Sequence, residues 1–179
     1  MDMAWAESYG EKLSAILIPW QGGMESGNAV ADVLTGKVNP CGKLADTIAR
    51  NYEDYPSSAH FGGRKFNHYT EDIFVGYRYF DSVGKKALYP FGYGGSFTTF
   101  EIEAAGVQLE GSRVSVKANV SNTGAYAGKE VAQVYVSAPQ GKLGKAAKVL
   151  CAFGKTKELA PGEETILNLH FDIRQFGSF

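Results

Sequence analysis

Histidine and cysteine are scarce in this sequence, and neither sign of charge dominates. His60, His68 and His170 stand at no metal-ligand spacing, and each reads as an isolated loop or surface residue. Cys41 and Cys151 lie far apart, so neither a disulfide framework nor a zinc site can be read from them. The 18 basic and 19 acidic side chains leave a formal charge of -1, which lacks the basic footprint of a nucleic-acid binder. No apolar run approaches the roughly 18 residues of a membrane span, which excludes a membrane role through a spanning helix. Residues Met1 to Ser8 show no basic stretch leading into an apolar one, so they do not read as a signal peptide. That absence leaves the compartment open.

What is abundant is glycine and aromatic surface. There are 22 glycines among 179 residues, where average usage of about 7% gives roughly 12 or 13. Phe, Tyr and Trp contribute 11, 10 and 2 residues. Turn-rich β structure is the first expectation.

Three regimes follow along the chain. Residues 1–47 read as a piece of an α/β layer. Ser14 to Trp20 is a nearly continuous apolar run, the pattern of a parallel strand buried on both faces. Glycines at 22 and 23 punctuate it, and Ala29, Val30, Val33 and Leu34 then recur at helical spacing with Gly36 just beyond. One such unit cannot complete a core, so Ile16, Leu17, Val30 and Val33 are expected to present apolar surface. Residues 48–98 form an irregular aromatic linker in which Ile73, Val75, Tyr77 and Tyr79 alternate with Phe74, Gly76, Arg78 and Phe80, predicting a strand. Residues 99–179 are all β. Val114, Val116, Ala118 and Val120 face one way. Ala132, Val134 and Val136 form a second alternating run, and Leu167, Leu169 and Phe171 a third. Turns at Gly111, Asn122 to Gly124 and Ala160 to Gly162 separate them. The pattern predicts an immunoglobulin- or fibronectin-type-III-like sandwich. With five or six strand candidates against the usual seven or so, it is expected to lack its last strand.

The candidate chemistry is sparse. Glu25 follows a glycine turn, but a carboxylate beside a helix N-terminus is favoured there by the dipole alone. Glu71 and Asp72 read as solvated or paired loop residues. Gly22, Gly23 and Gly27 match neither a dinucleotide loop nor a P-loop, and Ser26 sits one place too late for a nucleophile elbow. Aromatic rings stack on sugar faces, so Trp20, Phe66 and Tyr69 are candidates for lining the entrance to a sugar site. Tyr77, Tyr79, Phe91 and Tyr93 fit interdomain packing better, with Arg78 as a salt-bridge or cation–π partner.

Longer motifs point further. Trp20-Gln21-Gly22-Gly23-Met24-Glu25-Ser26-Gly27-Asn28 and Gly36-Lys37-Val38-Asn39-Pro40-Cys41-Gly42-Lys43-Leu44 resemble the end of the α/β-sandwich domain of glycoside hydrolase family three. Tyr69-Thr70-Glu71-Asp72-Ile73-Phe74-Val75-Gly76-Tyr77-Arg78-Tyr79 and Tyr89-Pro90-Phe91-Gly92-Tyr93-Gly94 resemble that family's linker into a fibronectin-type-III-like domain. Gly128-Lys129-Glu130-Val131-Ala132-Gln133-Val134-Tyr135-Val136 resembles that domain itself. Cys41 stands where the family usually has serine, Leu44 to Thr47 lacks the common proline, and Gly95 replaces a usual leucine.

The resemblance implies an α/β remnant followed by an all-β sandwich, together the C-terminal portion of a β-glucosidase-like exo-glycosidase. It implies that neither catalytic carboxylate lies in this chain, that no cofactor is needed, and that the partners are the remaining domains or a companion chain. The parent enzyme would be periplasmic or secreted, and its substrate a β-glucoside or oligosaccharide. A stand-alone carbohydrate-binding or adhesion module is the alternative from another class.

Overall fold

Alternating small apolar and polar residues create the centre of the fold. The computed structural model describes residues 3–177, and in it strand β2 (Arg113–Asn122) buries Val114, Val116, Ala118 and Val120 on one face. It is flanked on both sides by antiparallel partners, β1 (Phe100–Glu110) and β5 (Glu164–Asp172). A second sheet pairs β3 (Val131–Val136) with β4 (Val149–Lys155), also antiparallel. The two sheets meet over Val116, Val120, Ala132, Leu159 and Leu169. Burying each of the larger of these side chains contributes about 1.5–3 kcal/mol. This is the expected sandwich, with five strands among the described residues.

The first strand carries a parity shift. Ile102 pairs with Val120, and Ala104 with Ala118, but Val107 pairs with Val116 and Leu109 with Val114. A bulge between Ala104 and Gly106 takes up one extra residue. That insertion keeps even-numbered apolar residues before it and odd-numbered ones after it on the same face. Glu101, Glu103, Gln108 and Glu110 consequently share the opposite face.

Asn122 anchors the turns at one end of the sandwich. Its side chain is 1% exposed, and all four of its hydrogen-bonding positions are used. Oδ1 accepts from Thr98 Oγ1 at 2.8 Å and from the Gly124 N–H at 3.1 Å. Nδ2 donates to the carbonyls of Tyr126 at 2.8 Å and Leu159 at 2.9 Å. At the opposite end, Ser112 and Arg174 both bond the Asp172 carboxylate.

The N-terminal third departs from expectation in one element and agrees in another. Helix α2 (Ser26–Leu34) forms where the apolar spacing places it, after a short α1 (Ala4–Tyr9). Residues 14–20, expected as a doubly buried strand, belong to no ladder, and Trp20 at their end is left-handed at φ 57°. Such a strand needs neighbours on both edges, and no other described strand lies beside it. Ile16 and Ile18 pack against Met3, Ala6 and Ile48, whereas Leu17 is 39% exposed.

The predicted strand over Ile73 to Phe80 is also corrected. Tyr77–Ser82 is a helix, α3. Gly76 at φ 56° breaks the extended run and caps the helix start, and Gly84 at φ 66° ends it. Lys85 N–H closes on the Phe80 carbonyl at 2.9 Å, and Phe80 is buried to 2%. Arg78, expected in an interdomain ion pair or cation–π contact, makes neither among the described residues. No helix of the described residues is long and apolar enough to cross a membrane.

Two outcomes follow from these contacts. Asn122→Ala strips the Tyr126 carbonyl, the Thr98 hydroxyl and the Gly124 N–H of their side-chain partner and leaves the Leu159 carbonyl only the Gly128 N–H, and it is expected to cost about 2–4 kcal/mol in urea unfolding. Arg174 holds the Asp172 carboxyl well below the usual carboxylate range, helped by the Arg174 N–H and Ser112. A depressed folded-state value stabilises above the ordinary 3.8 and is lost as pH falls below it. Asp172→Asn should therefore lower the melting temperature at about pH 6, by an amount that shrinks progressively as the pH is taken below 3.8 toward the lowered folded-state value.

Candidate functional site

The three carboxylates singled out in the sequence are not assembled into a catalytic pair. Glu25 is the N-cap residue of α2, and its Oε2 accepts from Asn28 Nδ2 at 2.5 Å. Asp72 is exposed in a left-handed conformation at φ 52°. Glu71 departs from expectation: it is half-buried, and one carboxylate oxygen is shut from solvent without a hydrogen-bond partner. The carboxyl groups displaced from their ordinary values are Asp54, Glu163 and Asp172, all downward. Lys85 holds Asp54, the Ala160 N–H and Lys157 hold Glu163, and Arg174 holds Asp172. A general acid needs the opposite displacement.

The sugar-stacking candidates are all at the surface. Trp20 is 54% exposed with φ 57°, Phe66 is 75% exposed and Tyr69 is 90% exposed. None of the three rings contacts another described aromatic ring, and the fold does not join them into one platform. A tight turn presents Phe66, since Asn67 Oδ1 accepts from the Gly63 N–H at 3.0 Å. No group of three His, Cys, Asp or Glu side chains among the described residues is arranged to hold a metal.

The built feature is a seam between the N-terminal piece and the sandwich. Asn39 Nδ2 donates to the Ala127 carbonyl at 2.9 Å, while its Oδ1 accepts from Ser96 Oγ at 2.9 Å and the Phe97 N–H at 2.8 Å. Gly128 is required beside it, because a Cβ there would lie 2.7 Å from Asn39 Nδ2. Four residues on, Lys43 Nζ meets Glu130 Oε1 at 2.7 Å, with side chains only 17% and 13% exposed. Lys43 also donates to the Gly94 carbonyl at 3.2 Å. Lys155 Nζ reaches Cys41 Sγ at 3.4 Å. The run Gly36 to Leu44 is thus a docking element, a role that its glycines, Asn and Lys did not disclose in sequence.

Aromatic packing forms the other half of the seam through Tyr77 and Phe91, whereas Tyr79 packs on Phe80 and Tyr93 on Tyr89. The Tyr77 ring lies 4.7 Å from Phe91 and 5.9 Å from Tyr135 of β3. The Tyr77 hydroxyl accepts from the Leu150 N–H of β4 at 2.9 Å. Lys148 pairs with Asp81 at 3.2 Å and stands 5.1 Å over the Tyr135 ring. Ser82 Oγ accepts from the Ala147 N–H at 2.9 Å. Burial raises the Tyr135 phenol above its ordinary value, with Tyr77 and Asp81 adding to the effect.

Truncating one member of the Lys43–Glu130 pair strands a nearly buried charge. Lys43→Met or Glu130→Leu alone should destabilise by about 3 kcal/mol, and the double variant by clearly less than the sum. Urea midpoints of the four proteins form the cycle that checks this.

Comparison with known proteins accounts for this geometry. Residues 1–97 match the model of the glycosyl hydrolase family 3 C-terminal domain, and residues 130–179 match that of the fibronectin type III-like domain. The β-glucosidase of Ruminococcus albus is 50% identical over 180 residues, which cover 100% of this chain and 19% of that protein. β-Glucosidase A of Butyrivibrio fibrisolvens is 43% identical, covering 100% of this chain and 24% of its own length. Among solved structures, the β-glucosidase from Paenibacillus barengoltzii superposes with a TM-score of 0.94 at 49% identity, covering 100% of this chain and 20% of that one. β-Glucosidase 3B from Thermotoga neapolitana, in complex with α-D-glucose, gives 0.88 at 46% identity, covering 97% and 25%. The chain spans about a fifth to a quarter of the length of these relatives. It belongs to glycosyl hydrolase family 3 and corresponds to a C-terminal portion of that family's β-glucosidases, with the fibronectin type III-like domain attached.

Proposed function

We propose that the chain is the structural C-terminal portion of a retaining exo-β-glycosidase that hydrolyses terminal β-linked glucosyl residues. Retention requires an ionised carboxylate nucleophile and a protonated acid about 5–5.5 Å apart. In this reading both the aspartate nucleophile and the glutamate acid/base lie outside these residues. The observation that carries it is the seam: the polar contacts at Asn39, Lys43 and Tyr77 join the N-terminal piece to a sandwich.

Residues 1–47 then complete an α/β layer, 48–98 pin the two bodies together, and 99–179 buttress the assembly as a sandwich short of a strand. The boundary residues 1, 2, 178 and 179 fall outside those the structure describes. The partners are the remaining domains of the same enzyme, either continuous with this chain or on a companion chain. Trp20, Phe66 and Tyr69, exposed here, are available to line the approach to the sugar site of the assembled enzyme.

Two proteins test the reading with a nitrophenyl β-glucoside. The isolated chain is expected to give no turnover above a matched blank. Placing these residues in the Ruminococcus albus β-glucosidase, in exchange for its matching residues, should give an active enzyme. Hydrolysis by the isolated chain overturns the proposal, as does an inactive chimera that is folded and monodisperse.

A further inference from the structure

The seam holds a groove that its own contacts leave open. Its volume is about 770 Å³, with apolar walls from Val38, Phe97 and Tyr126 and polar ones from Lys37, Asn39 and Glu158. That volume falls within the roughly 300–1,000 Å³ of small-molecule sites. Phe97 is 47% exposed and Tyr126 64% exposed. Both residues are nevertheless held at their backbones. The Phe97 N–H donates to Asn39 Oδ1 at 2.8 Å. The Tyr126 carbonyl accepts from Asn122 Nδ2 at 2.8 Å, and the adjoining Ala127 carbonyl accepts from Asn39 Nδ2 at 2.9 Å. Two asparagine amides thus fix the groove before any ligand arrives, which lowers the ordering cost of binding.

The polar groups keep bonding capacity to spare. Asn39 Nδ2 carries a second hydrogen that no described residue accepts. The Lys37 ammonium is paired with Asp32 at 2.9 Å, which leaves it two further hydrogens. Glu158 has no hydrogen-bond or ion-pair partner among the described residues. These features select the ligand. A wholly apolar molecule leaves Lys37, Asn39 and Glu158 unsatisfied, an anion is opposed by Glu158, and a cation by Lys37. A neutral ring with apolar faces and hydroxyl edges meets both sets of groups. Its C–H faces pack on aromatic rings, and its hydroxyls donate and accept at once. A pyranose has that form.

We propose that this groove binds a β-linked gluco-oligosaccharide, with a glucosyl ring against Phe97 and Tyr126 and its hydroxyls toward Lys37, Asn39 and Glu158. The choice of a β-linked glucan rests on the reading of the chain as part of a β-glucosidase-like enzyme. The choice of a sugar ring rests on the groove alone.

Native gels containing a soluble mixed-linkage β-glucan, or a soluble α-glucan as control, test the site in the isolated chain and in the Ruminococcus albus chimera. The β-glucan should retard both proteins, and the α-glucan neither. Tyr126→Ala and Phe97→Ala should each weaken the apparent affinity at least about fivefold, whereas Tyr126→Phe keeps the ring and stays within about twofold. Phe153→Ala removes a ring that is 69% exposed outside the groove, and should change nothing. Melting temperatures establish that each variant is folded. Absent retardation, equal retardation by the α-glucan, or folded alanine variants that bind like the parent each overturn the proposal. Retardation of the isolated chain alone also overturns it, because another domain then fills the groove in the enzyme. A dimer of the isolated chain that Tyr126→Ala abolishes does the same. Nitrophenyl β-glucoside turnover by the chimera is scored separately. Turnover without retardation removes the groove proposal alone, and retardation without turnover removes the enzymatic reading alone.

Discussion

The amide of Asn39 is the constraint on which the arrangement of the two bodies depends. One short side chain bonds a carbonyl of the sandwich and two groups of the segment leading into it. An amide donates from its nitrogen while it accepts at its oxygen, two bonds on each side. The close approach it demands explains why glycine sits at 128, and it brings Lys43 within reach of Glu130 in a nearly dry setting. A charge pair so placed adds little net stability over an apolar pair, yet it strongly disfavours other orientations. The seam is therefore specified by polar geometry and filled by aromatic bulk around Tyr77.

That division between specification and filling sorts what the sequence disclosed. The sandwich was legible where one face is buried: Val114 to Val120 and Leu167 to Phe171 alternate because water lies on one side of them and the core on the other. β1 was hard to read because its bulge reverses parity midway, so neither half shows a run long enough to register. The segment around Tyr77 was misread for a different reason. Aromatics placed to meet Phe91, Tyr135 and the buried Phe80 give an accidental period of two, and the helix is set by Gly76 and Gly84 rather than by that alternation.

The N-terminal piece shows the opposite limit. Helix α2 is legible from local spacing, whereas residues 14–20 need flanking strands before they can be one. The docking role of Gly36 to Leu44 was likewise invisible, since a partner 88 positions away, Ala127, gives Asn39 its meaning. Trp20, Phe66 and Tyr69 could be picked out as exposed-ring candidates by residue type, but residue type alone does not say whether they share a platform.

The linker also has a topological property. Asn39 and Lys43 grip the sandwich before the aromatic segment begins, and Tyr77 and Ser82 grip it again after the exposed stretch of residues 59–70. The stretch between is a closed span with both feet on the same body. A protease that cuts the exposed turn near Phe66 would sever the backbone without freeing either piece. The nicked molecule would still run as one particle under native conditions and separate into two only in denaturant.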